Sequence, residues 1–287
     1  MRIKTLLILG RVSNLPTVWS NLLAGWCLVG GRFDAPVLAA VLIGGGFLYT
    51  GGMFLNDFCD AGFDSRYRPE RPIPAGLVSR STVGWIASAG LLLGTLLLAT
   101  LGWRTLVVSF QLLVCIALYN VIHKKIGCAP FIMGACRLLL YFLAASAAGG
   151  TFRSAEIHSL LPAGLALGLY VAGITYFARG ESAPKPQTRW SLIFLLLPVW
   201  LVTFGGANQS RIGSALFSLL FLLWMGWLLA PFWRGTKPSI GRVVSGLLAA
   251  IVLADCIAVA PVLGFQAAWF LILFIFALLL QRIIPAT

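Results

Sequence analysis

Long apolar runs separated by short polar loops dominate the sequence. A transmembrane helix needs about 20 mostly apolar residues, and ten stretches of suitable length can be marked along the chain. They lie at 15–31, 36–57, 82–102, 105–123, 129–149, 158–178, 190–206, 212–232, 240–263 and 266–282. Pro261 interrupts the ninth, and only a Leu263-Gly264 turn separates it from the tenth. The pattern therefore predicts an all-α, polytopic transmembrane helical bundle with nine or ten spans, forming a single integral-membrane domain over residues 1–287.

Composition supports this prediction. The chain is 60% hydrophobic and only 10% charged, with a mean hydropathy of +0.95. An average soluble domain is about 45–50% apolar and about 25% charged. Too few charged side chains are available to cover the apolar ones in water, which excludes a soluble enzyme, a disordered chain and a disulfide-stapled secreted module.

The distribution of basic residues predicts an orientation. With the N-terminus in the cytoplasm, 16 of the 21 Lys and Arg side chains fall in cytoplasmic segments. Four fall on the opposite side (Arg32, Arg104, Arg153 and Arg211). The positive-inside rule then places the N-terminus and the loops 58–81 and 179–189 on the cytoplasmic side of a plasma (inner) membrane. The net charge of +13 is typical of contact with anionic membrane lipids rather than with nucleic acid.

Acidic residues are rare and clustered. The chain has eight, and four of them lie within 57–70. On a helix, Asp57, Asp60 and Asp64 would lie within about 60° of one another, with Asn56 at the flank. Hard oxygen ligands on one face suit Mg²⁺, which is commonly held by one or two carboxylates together with phosphate and water. The alternative is a solvated acidic helix end, but this does not explain why so few acids are gathered here.

Arginines follow the acidic cluster directly, at Arg66, Arg68 and Arg71, in a loop stiffened by prolines. Guanidinium groups clamp phosphate oxygens through paired hydrogen bonds. Taken alone, these arginines would be ordinary anchors on the cytoplasmic side. Beside a predicted Mg²⁺ site they indicate a diphosphate site.

The motif Asn56-Asp57-x-x-Asp60-x-x-x-Asp64, followed by Arg71-Pro72-x-Pro74-x-Gly76, resembles the first signature of the UbiA superfamily of intramembrane prenyltransferases. The stretch Arg11–Asn21, which includes Asn14, corresponds to the polar part of the family's first span. Tyr119-Asn120-x-x-x-Lys124-Lys125 and Gly134-Ala135-Cys136-Arg137 resemble its fourth and fifth helices.

The resemblance implies a UbiA-like fold and Mg²⁺-dependent transfer of a prenyl group from an allylic prenyl diphosphate to a lipophilic acceptor, for which an aromatic compound is one candidate. The implied catalytic residues are Asp57, Asp60, Asp64, Arg71 and Lys124, and the implied metal ligands are Asn56, Asp57, Asp60 and Asp64. The implied substrate-binding residues are Asn56, Arg11, Asn14, Arg66, Arg68, Tyr119, Asn120, Arg137, Tyr141, Thr175, Arg179 and Glu181. Tyr119 or Tyr141 would face the allylic cation.

The second signature departs from the family pattern. Most members place a DxxxD-type motif at the end of the sixth span, where this chain has Thr175, Arg179 and Glu181. A divergent branch is indicated, similar to the UbiA-like proteins of the ebo type, and the number of metal ions, the prenyl chain length, the acceptor and the oligomeric state stay open.

Two rival functions remain from the sequence. A non-catalytic UbiA-like carrier or export-coupled protein would suit the intramembrane charges Arg137 and Asp255, although Asp255 could equally form a helix–helix hydrogen bond. An alcohol phosphatidyltransferase is disfavoured because Ala178-Arg179 lacks the preceding Asp of that family's motif. His123 and His158 lie at span ends and are interpreted as interfacial.

Overall fold

The structure is a computed structural model that describes residues 3–179, 191–200, 211–235 and 239–285, and within these ranges all regular structure is helical. The helices are α1 (Ile3–Leu9), α2 (Leu15–Leu28), α3 (Ala35–Tyr67), α4 (Arg80–Ala99), α5 (Trp103–Ile122), α6 (Ala129–Ala147), α7 (Ser154–Arg179), α8 (Ser191–Phe194), α9 (Arg211–Trp233), α10 (Ile240–Ala249), α11 (Ile251–Leu263) and α12 (Phe270–Ile283). Short 3₁₀ helices precede α2 (Val12–Asn14) and α12 (Gly264–Trp269). The predicted all-α bundle is confirmed.

Seven helical stretches of the described chain are long and apolar enough to cross a membrane. Three differences separate this number from the ten predicted stretches. Helix α2 has 14 residues, about 21 Å, and is shorter than the hydrocarbon core of about 30 Å. The stretch 190–206 lies partly outside the described residues. The last two predicted spans form one continuous apolar stretch, Ile240–Ile283.

Helix α3 is much longer than a membrane crossing. Its 33 residues extend about 50 Å, against a hydrocarbon core of about 30 Å. The carboxylate of Asp34 caps its first turn by accepting from the Val37 amide at 3.2 Å, and the helix ends just before Pro69. One end of α3 therefore extends beyond the apolar layer, and the acidic cluster lies in that final part.

Two helices form the centre of the bundle. Residues 251–260 of α11 are all buried, and most of α2 is buried as well. Helix α11 packs against α2 and α9, while α2 also packs against α6. One apolar core joins α2 and α6 to α7, α9 and α10–α12, and a second joins α2 and α6 to α3, α4 and α5. The two halves of the bundle are thus connected through α2 and α6.

Glycines allow the closest helix contacts. A Cβ atom at Gly134 of α6 would collide with the Gly168 carbonyl of α7, and one at Gly94 of α4 would lie 2.8 Å from the Gly44 carbonyl of α3. A Cβ atom at Gly25 of α2 would collide with the backbone of Tyr141 in α6. Helices in membranes associate through such small residues because lipid offers no hydrophobic driving force between them.

Candidate active site at the end of α3

Three carboxylates lie along the last turns of α3. Asp57 and Asp64 are buried and Asp60 is half-buried. After α3 the chain turns back over this face, so that Arg71 Nη1 lies 2.9 Å from Asp57 Oδ1 and 3.7 Å from Asp64 Oδ2. The turn is closed by hydrogen bonds such as Leu77 N to Pro72 O at 3.0 Å. The guanidinium of Arg71 thus contacts two of the three carboxylates.

Arg11 reaches the same face from the opposite side. Its Nη2 lies 3.8 Å from Asp57 Oδ1 and donates to Asn56 Oδ1 at 3.3 Å. The Arg11 backbone is left-handed (φ 44°, ψ 48°), at the bend between α1 and the 3₁₀ turn before α2. This conformation is unfavourable for a residue with a Cβ atom, and it directs the arginine toward α3.

Asp60 is bound by the end of α5. Lys124 Nζ lies 2.6 Å from Asp60 Oδ1, and His123 Nε2 lies 3.4 Å from Asp60 Oδ2. The Lys124 ammonium also lies 3.9 Å from the centre of the Phe63 ring, a cation–π contact. His123 is stacked on Tyr119 one turn earlier, with ring centres 5.0 Å apart. Arg71 therefore contacts both Asp57 and Asp64, while Asp60 contacts side chains from the end of α5.

A cavity of about 60 Å³ lies inside the bundle next to this face. Asn56 donates to Asn120 Oδ1 at 2.9 Å and so joins the acidic face to the cavity wall. Apolar side chains form most of the wall, together with Tyr49, Tyr119, Asn120 and Arg137. The wall combines apolar side chains with a few polar groups, as the walls of small-molecule sites do, and the cavity is smaller than the roughly 300–1,000 Å³ usual for such sites.

The end of α7 closes one side of the site. Arg179 donates through Nη2 to the His123 carbonyl at 2.5 Å and through Nη1 to the Gly127 carbonyl at 3.2 Å. The Thr175 hydroxyl donates to the Val171 carbonyl of its own helix at 2.8 Å. Arg179 thus holds the loop that carries His123 and Lys124. Glu181, the remaining acidic candidate of this region, lies outside the described residues.

Several expected site residues lie elsewhere. Tyr141 is fully buried and donates to Asp255, so it does not line the cavity; the expectation that it faces the allylic cation is not met by this structure. Asn14 is buried and accepts from Gln281 of α12 at 3.4 Å. Arg66 is exposed on the outer side of α3, and Arg68 is half-buried at its end.

The structure adds residues that the sequence pattern did not identify. His123 contacts Asp60 instead of being only interfacial, and Tyr49 and Met53 lie on the face of α3 that leads to the acidic residues. Met53 Sδ accepts from Arg11 Nη1 at 3.4 Å. A signal for these positions exists, because Tyr49, Met53, Asn56 and Asp60 follow the three- and four-residue spacing of one helix face.

The donor set fits Mg²⁺ that binds together with a phosphate-bearing substrate. Within the described residues, no three His, Cys, Asp or Glu side chains are grouped so that they could hold a metal by themselves. Mg²⁺ does not need such a group, because substrate phosphate and water supply several of its ligands. Arg11 and Arg71 both contact Oδ1 of Asp57, and among the described residues Oδ2 accepts no hydrogen bond.

The protein is thus a helical membrane protein in which an acidic helix face, contacted by arginine and lysine side chains, lies next to a mainly apolar cavity. Residues 15–284 match the UbiA prenyltransferase family, and the chain belongs to this family. The branch of the family predicted from Thr175, Arg179 and Glu181 stays a prediction.

Individual relatives agree with this membership. A 4-hydroxybenzoate octaprenyltransferase of Idiomarina loihiensis is 26% identical over 218 residues, covering 75% of this chain and 71% of the relative. A digeranylgeranylglyceryl phosphate synthase of Methanothermobacter thermautotrophicus is 47% identical over 58 residues, covering 20% of each chain. The apo structure of a UbiA homolog from Aeropyrum pernix K1 has the same fold, with a TM-score of 0.66 at 19% identity over 86% of this chain and 96% of that one.

Proposed function

We propose that this protein transfers a prenyl group from an allylic prenyl diphosphate to a lipophilic acceptor inside the membrane, in a Mg²⁺-dependent reaction at the cytoplasmic end of the bundle. One observation carries the proposal. Asp57, Asp60 and Asp64 lie on one helix face, and cations from three other segments contact them. A transport function does not require carboxylates gathered on one helix face, whereas Mg²⁺ that binds together with a diphosphate takes carboxylate oxygens among its ligands.

In this proposal Asp57, Asp60 and Asp64, with Asn56 at the flank, would supply the protein's ligands to Mg²⁺. When bound, the metal would supply positive charge to the leaving diphosphate. The three cations Arg11, Arg71 and Lys124 now neutralise the carboxylates. With the metal on the carboxylates, these side chains become available to donate to phosphate oxygens. Arg179, Arg66 in the last turn of α3 and Arg68 just after it lie at the same end of the bundle and add to the positive field.

The chemistry begins with loss of the diphosphate. The allylic C–O bond breaks, and its electron pair leaves with the diphosphate. Hydrogen-bond donors and cations beside the position where this charge develops lower the barrier by stabilising it. The aromatic faces of Tyr119 and Tyr49 in the cavity wall can stabilise the allylic cation. The apolar wall excludes water, which would otherwise trap the cation as an alcohol.

The acceptor then forms the new bond to the allylic cation through a nucleophilic carbon or oxygen and loses a proton, which the released diphosphate can take. No described side chain of the cavity wall is an acid or a histidine that could take this proton. Two relatives bear names that specify a hydroxybenzoate and a glyceryl phosphate, and both compounds carry an acidic group. We extend to this chain only the shared element, an acceptor with an acidic head on a lipophilic body.

Asp60→Asn tests the proposal, with Asp34→Asn as its matched control. Asp34 lies at the other end of the same helix and caps it, and asparagine caps equally well. We expect Asp60→Asn to abolish Mg²⁺-dependent diphosphate release and Asp34→Asn to leave it unchanged. Release is measured in nanodiscs with geranyl, farnesyl and geranylgeranyl diphosphate, with and without Mg²⁺, in the presence of a membrane-lipid extract. The prenylated product is identified by mass spectrometry.

Turnover that survives Asp60→Asn would contradict the assignment of the metal site. Binding of the diphosphate without release or product, across all three donors and the whole extract, would instead favour a non-catalytic carrier.

A further inference from the structure

A second polar cluster lies in the interior of the bundle, away from the acidic face. Asp255 of α11 is completely buried, and its carboxylate accepts hydrogen bonds from three side chains. These donors are Ser20 and Asn21 of α2 and Tyr141 of α6, the last at 2.5 Å. Because a charged group inside a membrane bundle is costly, a cluster of this kind is usually functional.

The amide of Asn21 links this carboxylate to Arg137. Asn21 Nδ2 donates to Asp255 at 2.8 Å, while Asn21 Oδ1 accepts from Arg137 Nη1, also at 2.8 Å. The Arg137 guanidinium lies 5.6 Å from the centre of the Tyr49 ring. Arg137 is 6% exposed, so its charge is balanced inside the bundle by Asp255 through one bridging side chain.

Asp255 and Arg137, the two ends of this link, differ in how many of their possible hydrogen bonds are formed. The carboxylate has three donors, whereas among the described residues the five N–H groups of Arg137 make one hydrogen bond. No side-chain nitrogen or oxygen of the described chain is both sealed from open space and without a partner. The other N–H groups of Arg137 therefore face the cavity, whose wall includes this residue. A purely structural ion pair would use the donors of both partners.

Arg137 lies too deep to bind the diphosphate. Its ring partner Tyr49 precedes the proposed metal ligands of α3, Asn56 to Asp64, by 7 to 15 residues, a rise of about 10 to 22 Å. In the prenyl diphosphate, the carbon that reacts lies directly beside the diphosphate group. A group bound at Arg137 therefore belongs to the molecule that approaches this carbon from inside the cavity.

We propose that Arg137 binds an oxyanion, a carboxylate or a phosphate, in the head of the acceptor, and that Asp255 positions Arg137 through Asn21. This inference rests on the proposed function and names the class of acceptor. Arg137 selects the acceptor by charge. Asp255, Ser20, Asn21 and Tyr141 are positioning residues that hold the guanidinium in the cavity and balance its charge while the acceptor is absent.

The first experiment separates acceptors by charge. The membrane-lipid extract is divided by anion exchange into acidic and neutral fractions, and each is supplied to the wild-type protein with labelled geranylgeranyl diphosphate and Mg²⁺. We expect a prenylated product from the acidic fraction alone. Phosphatase treatment of that fraction then distinguishes a phosphate-bearing acceptor from a carboxylate-bearing one. The treatment removes a phosphate monoester and so abolishes product formation, whereas a carboxylate acceptor is unaffected.

Variants of Arg137 test its role directly. Arg137→Gln should raise the amount of acidic fraction needed for half-maximal rate by roughly ten- to a hundredfold, the equivalent of one charged hydrogen bond. The KM for the prenyl diphosphate should not change, which also shows that the variant is folded. Arg137→Lys keeps the charge and should recover part of the loss.

The role of the positioning residues is tested by substituting two tyrosines, one of which serves as a control. Tyr141→Phe removes a donor to Asp255, and Tyr170→Phe removes an equally buried hydroxyl that donates to the Leu247 carbonyl at 2.7 Å. We expect Tyr141→Phe, and more strongly Asp255→Asn, to raise the KM for the acceptor with the donor KM unchanged. Tyr170→Phe should leave both KM values as they are.

Product from the neutral fraction, or an unchanged acceptor requirement in Arg137→Gln, would overturn the inference. Equal effects of Tyr141→Phe and Tyr170→Phe would overturn the positioning role. Absence of any product from the whole extract with the wild-type protein contradicts the proposed function itself, so the two failures are distinct.

Discussion

Single side chains at the end of α3 are held by partners that are distant in the sequence. Asp57 contacts arginines 46 residues before it and 14 residues after it, and Asp60 contacts the end of α5. Each contact crosses between segments, so the position of a carboxylate depends on several helices at once. His123 is a clear case, because it touches Asp60 and stacks on Tyr119.

His123→Phe tests whether this contact supports metal binding. Phenylalanine keeps an aromatic ring against Tyr119 but removes the contact with Asp60. Groups that hold a metal ligand in place typically change metal affinity by about 10- to 100-fold. We therefore expect the Mg²⁺ concentration for half-maximal diphosphate release to rise by about tenfold or more. His158→Phe is the control, because the only other histidine of the chain is exposed on α7. An unchanged Mg²⁺ requirement in His123→Phe would remove His123 from the site.

At the scale of helices, the position of the site depends on the length of α3 and on the close packing of α6 against α7. Helix α3 exceeds a membrane crossing by about 13 residues, so its acidic turns lie beyond the apolar layer. Helix α6, which carries Arg137, packs closely against α7 where Gly134 meets Gly168. The depth of Arg137 in the cavity therefore depends on this helix contact.

Gly134→Ala should weaken the contact between α6 and α7. The added methyl group collides with the Gly168 backbone, and overpacking of this kind costs about 1–3 kcal/mol. Gly226→Ala in α9 is the control, because a Cβ atom there meets no atom within 4 Å. We expect a lower thermal unfolding temperature in detergent for Gly134→Ala and no decrease for Gly226→Ala. Equal unfolding temperatures would show that the two helices can separate at little cost.

For the whole molecule, the structure gathers at one end several segments that the charge pattern assigned to the cytoplasm. Arg11, Arg71, Lys124 and Arg179 all contact the acidic face of α3 or the loop beside it. Arg104 lines a groove at the other end of α5, together with Thr151 and Phe152. The shared end agrees with a single cytoplasmic face, and the side of the membrane on which it lies is a prediction.

Thiol labelling tests this orientation. Cys128 is exposed between α5 and α6 at the predicted cytoplasmic end, and Arg32 is exposed at the other end. With Cys128 as the single cysteine, a membrane-impermeant maleimide should react only after the cells are opened. With Arg32→Cys as the single cysteine, intact cells should be labelled. The reverse pattern would invert the orientation and the location of the active site.

The sequence by itself was sufficient to predict the features that depend on the spacing of residues near one another in the chain. Apolar run lengths determined the helical membrane fold, since a bilayer requires every spanning segment to satisfy its own backbone. The spacing of Asp57, Asp60 and Asp64 determined that they share a face, because helix geometry is periodic. The motif around them identified the family.

Only the tertiary structure could show which distant side chains meet. Asp255 lies in the centre of the bundle, and its contacts with α2 and α6 depend on how the helices pack, which is not encoded in any local spacing. For the same reason Tyr141 turned out to bind Asp255, and His123 to contact Asp60. Helix periodicity fixes the face on which a residue lies, but the packing of the other helices decides what that face touches.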